Sequence, residues 1–195
     1  MSLLRGAATS AALVALAACH TSTGLSSATH RAGLLALARS DAADPNVLTM
    51  TFKNNQTVSF TWINADSAGT TLAVFHFFPQ SVRSRNDTIL ADTSTVQLTA
   101  TVTPGVFGFT IAPASVVFNI AGSPTVDVSF ASYADFSVAD SSPSKYPTSQ
   151  AFARALKLWY EFGSDQWQAQ STGVTDTLAS SALSQPGLYL LAAPK

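Results

Sequence analysis

An all-β fold, an antiparallel β-sandwich, is predicted by three features of the sequence. Many short runs alternate apolar and polar residues, the period of a strand with one buried face. Glycine, proline and asparagine clusters punctuate those runs at short intervals. Hydrophobic residues make up 47% of the 195 residues and charged residues only 11%. That is enough core material to fold and too little charge for disorder. The formal net charge of −1 leaves no basic surface, so nucleic acid is not expected as a partner.

From Val47 the period is two. Leu48, Met50 and Phe52 alternate with Thr49, Thr51 and Lys53. Val58, Phe60 and Trp62 alternate with Thr57, Ser59 and Thr61, and Asn54-Asn55-Gln56 between the two runs reads as a hairpin turn. Residues 71–78 are apolar on both faces, which predicts a central strand. Residues 95–103 set Val96, Leu98, Ala100 and Val102 against threonines and a glutamine, and Pro104-Gly105 then turns the chain. Strands are predicted next around Phe107, Phe109 and Ile111, over 116–120, and over 125–130 with Val126, Val128 and Phe130 inward. Residues 132–149 are polar and carry proline, which predicts a loop with a helical turn near its end. Residues 155–162, 166–170 and 188–192 complete the predicted strands.

The N-terminus differs. Met1 to Arg5 is short with one positive charge, and Gly6 to Ala18 is apolar, alanine-rich and uncharged. A basic start, an apolar stretch and small residues before a cut are the parts of an export signal. The stretch is too short for a bilayer, which needs about 20 residues. Leu16-Ala17-Ala18-Cys19 resembles the lipobox of bacterial lipoproteins, and Cys19 is the one cysteine of the chain. The resemblance implies a diacylglycerol thioether on Cys19, with Leu16, Ala17 and Ala18 read by the signal peptidase. It also implies anchoring to the cell envelope, on the outer membrane where there are two, since His20 stands where aspartate signals inner-membrane retention. One acyl chain anchors only marginally, whereas two or three hold. The expected organisation is a signal peptide over 1–18, a flexible tether over 19–45 and one sandwich domain over 46–195. Within the tether, Leu34, Leu35 and Leu37 of residues 31–39 fit a short helical segment that caps the domain. A lipid-free form beginning near Ala42 is expected to fold alone.

The second half carries a further pattern. Phe109-Thr110-Ile111-Ala112-Pro113 leads to Val117-Phe118, then to a proline-led strand from Pro124, to Leu156-Lys157-Leu158-Trp159-Tyr160, to Trp167 and to Pro186-Gly187-Leu188-Tyr189. Over residues 95–193 this order resembles the ZU5-type β-sandwich modules of bacterial surface proteins. The resemblance implies an Ig-like or ZU5-like sandwich with a binding or structural role. Some of those modules cut themselves at a His-Phe-Ser site. His76-Phe77-Phe78-Pro79 lacks the serine, so self-cleavage is not expected.

Chemistry-bearing residues are sparse. His20 and His30 fall in the tether, and His76 sits in an apolar strand as a hydrogen-bonded histidine. There is no Gly-x-Ser-x-Gly elbow, no His-Glu-x-x-His and no phosphate loop. No metal and no cofactor are expected. Alternation puts Lys157, Trp159 and Glu161 on the wetter face of their strand, which makes Trp159, with Trp167 on the neighbouring arm, the candidate contact for a ligand or partner. The expected role is a non-catalytic interaction or structural module, with an envelope protein or a glycan as partner. The alternatives are a carbohydrate-binding module using Trp159 and Trp167, and a hydrolytic enzyme without a recognisable motif.

Overall fold

The computed structural model describes residues 28–39 and 44–195. Two antiparallel sheets face each other. The larger contains β1 (Leu34–Ala36), β3 (Leu48–Lys53), β8 (Thr95–Val102), β9 (Gly108–Ala112), β13 (Lys157–Gly163), β14 (Gln166–Ala169) and β17 (Leu188–Pro194). Its order is β14-β13-β17-β9-β8-β3, with β1 joined to β17. The smaller contains β4 (Val58–Ile63), β5 (Thr71–Phe77), β11 (Thr125–Ser129), β15 (Thr172–Val174) and β16 (Leu178–Ala182). Its order is β15-β16-β11-β5-β4, so β5 is flanked on both sides, as its two apolar faces require. Short strands close the ends: β6 (Val82–Arg85) between β7 (Thr88–Ile89) and β10 (Val116–Phe118), and β2 (Ala38–Arg39) beside β12 (Ala134–Asp135). The α-helix α1 (Ser149–Ala155) is capped by Thr148, whose hydroxyl accepts from Ala151 N, and buries Phe152.

Aromatic rings join the sheets. Phe75 of β5 meets Phe109 of β9 edge-on at 5.3 Å. Phe109 stacks on Tyr189 of β17, also at 5.3 Å, and Phe52 of β3 lies 4.4 Å from Phe77 of β5. Such pairs add to the area they bury, and Phe75, Phe77 and Tyr189 are fully buried.

Two expectations are corrected here. Residues 48–53 and 58–63 do not form a hairpin. Met50 pairs with Leu98 of β8, whereas Phe60 pairs with Phe75 of β5, so the connection arches between sheets. The reason is Asn54, which sits in the turn closed by Gln56 N on Lys53 O but whose buried side chain is tied to β6, donating to Val82 O and accepting from Val82 N. The inward rows of the two strands thus face each other across the core, with Phe52 and Phe60 6.1 Å apart.

The second correction concerns the tether. The expected helical segment is a single 3-10 turn at Arg31–Gly33; Leu34 and Leu35 after it are strand, and Leu37 links β1 to β2. Leu35 and Leu37 enter the core between the sheets, while Leu34 and Ala36 enter a second cluster on the outer face of the larger sheet. A strand buried on both faces needs apolar residues at consecutive positions, and Leu-Leu-Ala-Leu supplies them. Residues 28–39 therefore belong to the folded domain.

Candidate functional site

Trp159 and Trp167 are not exposed. They are 6% and 3% accessible and belong to the second cluster, with Leu34, Ala36, Leu190 and Ala192. Alternation along β13 does point Trp159 away from the inter-sheet core. That face is covered by the N-terminal segment rather than by water. Thr29 and Trp167 exchange backbone hydrogen bonds of 2.9 and 2.8 Å at the β14 edge. The chain then turns through Arg31–Gly33 and joins β17 as β1. This strap is fastened by Arg31 N, which donates to Asp165 Oδ1 at 2.7 Å, and by Lys195 N, which donates to Gly33 O. The Trp159 Nε1–H is satisfied by Ala192 O at 3.0 Å. The pair is therefore core, and the ligand role assigned to it from sequence is withdrawn. The residues expected to be read and modified on export, Leu16, Ala17, Ala18 and Cys19, lie outside the described residues.

The outer face of the smaller sheet holds the arrangement closest to a catalytic one. Ser59 on β4 and His76 on β5 are directly paired, and Asp127 on β11 is diagonal to His76. Ser59 Oγ lies 2.8 Å from His76 Nδ1, and His76 Nε2 lies 3.1 Å from Asp127 Oδ2. A carboxylate only accepts, so the Nε2–H donates to Asp127, and in the neutral imidazole Nδ1 then accepts a hydrogen bond from the Ser59 hydroxyl. That is the polarity of a nucleophile with its base and orienting acid.

The surroundings decide what this trio can do. An acyl-transfer serine needs backbone donors aimed at the developing oxyanion. Ser59 stands in mid-strand, where N–H groups lie in the plane of the sheet and side chains stand perpendicular to it. The three side chains act as a polar clasp across three strands. The intact chain is expected to hydrolyse an activated phenyl ester no faster than Ser59→Ala, with both at the background rate. A fluorophosphonate probe is expected to leave Ser59 unlabelled, as peptide mass mapping would show.

A second polar cluster closes one end of the sandwich. Asp66 accepts from Thr70 N at 3.1 Å and from the Tyr133 hydroxyl at 2.8 Å, and also from the Thr70 hydroxyl. Those bonds, the Thr70 hydroxyl first and Tyr133 next, hold its carboxyl down at about 2. They also fasten Tyr133, whose backbone is left-handed at φ 68°. Arg39 lies inside the same end, its guanidinium 3.5 Å from Asp44 Oδ1 and 3.3 Å from Asn64 Oδ1. A carboxyl whose folded pKa is depressed stabilises the fold fully above its unfolded value, about 3.9. The contribution is lost as pH falls through about 2. Asp66→Asn is expected to flatten the acid limb of stability between those values, as read by denaturant midpoints at stepped pH.

No protein-family model matches the chain, and neither a curated protein nor a solved structure matches it.

Proposed function

We propose that this is a lipid-anchored protein of the cell envelope whose β-sandwich is a non-catalytic interaction or structural module. The observation that carries the reading is the lipobox-like Leu16-Ala17-Ala18-Cys19 placed just ahead of the folded domain. Eight residues separate Cys19 from Ala28, the first described residue. At roughly 3.5 Å per residue, they reach at most about 30 Å. A lipidated Cys19 would hold the domain against its membrane rather than release it into the surrounding space. The likeness of residues 95–193 to ZU5-type modules, which mostly mediate interactions, points the same way. The flat setting of Ser59 argues against hydrolysis.

The test is Cys19→Ser in cells fed a labelled fatty acid. The wild-type chain is expected in the membrane fraction with the label, and the variant in the soluble fraction without it. A wild-type chain that takes up no label, or a variant that stays on the membrane, would sink the proposal.

A further inference from the structure

Along β13 the cover runs out toward the hairpin tip. Leu158 is buried, Tyr160 is half-buried and Phe162 is 47% accessible. Alternation puts Leu158 and Tyr160 on the side that faces the smaller sheet, and the register against β14 then shifts between Glu161 and Gly163, which makes Phe162 the extra residue of a bulge. Leu158 and Tyr160 pack on the inter-sheet core. At this bulge Phe162 lines the mouth of an open cleft of about 430 Å³ formed with Tyr160, Glu161, Ser164, Pro186 and Gly187. That volume is within the range of small-molecule sites.

The cleft is shaped by two close approaches. A side chain on Gly187 would bring its Cβ to 2.8 Å from the Tyr160 ring, so only glycine lets the turn lie against that ring. From inside, Tyr189 supports the same ring at a centroid distance of 5.0 Å. On the rim, Glu161 Oε1 accepts from Asp165 N at 3.1 Å, which fixes the carboxylate at the hairpin tip. Among the described residues, no lysine or arginine lines the cleft.

This chemistry selects a class of ligand. A carboxylate without a cation rejects phosphates and acidic groups. Glu161 on the rim also opposes docking on an anionic membrane surface, while Asp165 behind it faces His30, with Nδ1 3.5 Å from Oδ2. An aromatic face beside hydrogen-bonding groups fits a molecule with an apolar face and a hydroxyl rim, as a pyranose ring has. The cleft lies open to solvent, so a unit of a longer chain can reach it. We infer that the Tyr160–Phe162 cleft binds a saccharide, a neutral or N-acetylated hexose unit of an extended chain, stacked on Phe162 with its hydroxyls on Glu161. The inference rests on the interaction-module reading and names its ligand class.

The test is retention of the full chain on insoluble cellulose, chitin and peptidoglycan sacculi. Phe162→Ala and Glu161→Gln are compared with Ile120→Ala, which alters an exposed residue outside the cleft. Retention on at least one polymer is expected. It should weaken about tenfold or more in Phe162→Ala, by less in Glu161→Gln, and not at all in Ile120→Ala. Retention on none of the three, or retention that Phe162→Ala leaves unchanged, overturns the inference. So does binding to phosphatidylglycerol vesicles that needs Phe162. A photocrosslinker at position 162 in cells separates the two readings. With no polymer bound, a recurrent protein crosslink overturns the saccharide and leaves the interaction module standing. With no polymer bound and no crosslink, both fall.

Discussion

Replacing Trp159 with alanine is expected to cost about 3–5 kcal/mol of folding stability, the range for removing a large buried aromatic. The ring fills the space between Trp167 and the strap residues Leu34 and Ala36, and it is closed off below by Leu190 and Ala192. Alanine would leave a cavity bounded by a strand on one side and a crossing segment on the other, neither free to collapse without breaking its ladder. The Nε1–H bond to Ala192 O would go as well, which adds about 0.5–1.5 kcal/mol. Trp159→Phe keeps most of the packing and loses that bond, so a loss of about 1–2 kcal/mol is expected. Urea unfolding would read both as lower midpoints with an unchanged slope. A loss under about 0.5 kcal/mol for the alanine variant, the range of ordinary surface substitutions, would mean that the ring is not buried.

The same tryptophan shows how far the sequence was legible. Its face was: alternation along Lys157 to Glu161 separates Leu158 from Trp159, and the two do lie in different clusters. What covers that face was not, because the covering segment lies more than a hundred residues away, and periodicity carries no information about distant neighbours. Strands with one wet face were read well, as in residues 95–102, where Val96, Leu98 and Ala100 are buried. Strands without contrast were missed. Leu178–Ala182 reads Leu-Ala-Ser-Ser-Ala, small residues with low strand propensity, yet it pairs along its length with β11. Leu34–Ala36 failed for the opposite reason: consecutive apolar residues fit a helix turn as well as a strand buried on both faces. The arch at Asn54 was read as a hairpin because two alternating runs look alike whether they pair or face each other. The Ser59–His76–Asp127 trio spans separations of 17 and 51 residues, so only strand register reveals it.

A chain shortened to begin at Ala42 is expected to lose cooperative folding, although its sequence retains every strongly alternating run. The deletion removes Leu34, Leu35 and Leu37, all buried. At about 1.5–3 kcal/mol for each such side chain, the loss is roughly 5–9 kcal/mol. Small domains are stable by about 5–15 kcal/mol in all. The damage is also positional. Without β1, Ala193 and Pro194 of β17 lose their strand partner and Ala192 keeps only β13, and Phe107 loses Leu37 O, which accepts its N–H. Trp159 and Trp167 lose their cover at the same time. The shortened chain should show red-shifted tryptophan emission and a broad, shallow urea transition, against a sharp one for the full chain. A chain beginning at Ala28 keeps the strap, its bond to Asp165 and the Thr29–Trp167 pair, and should unfold like the full chain. Equal stability of the two shortened chains would return residues 28–39 to the status of a tether. A difference of several kcal/mol would make them part of the fold, so that the link to Cys19 begins where the strap is fastened to β14 and not at the end of a loose spacer.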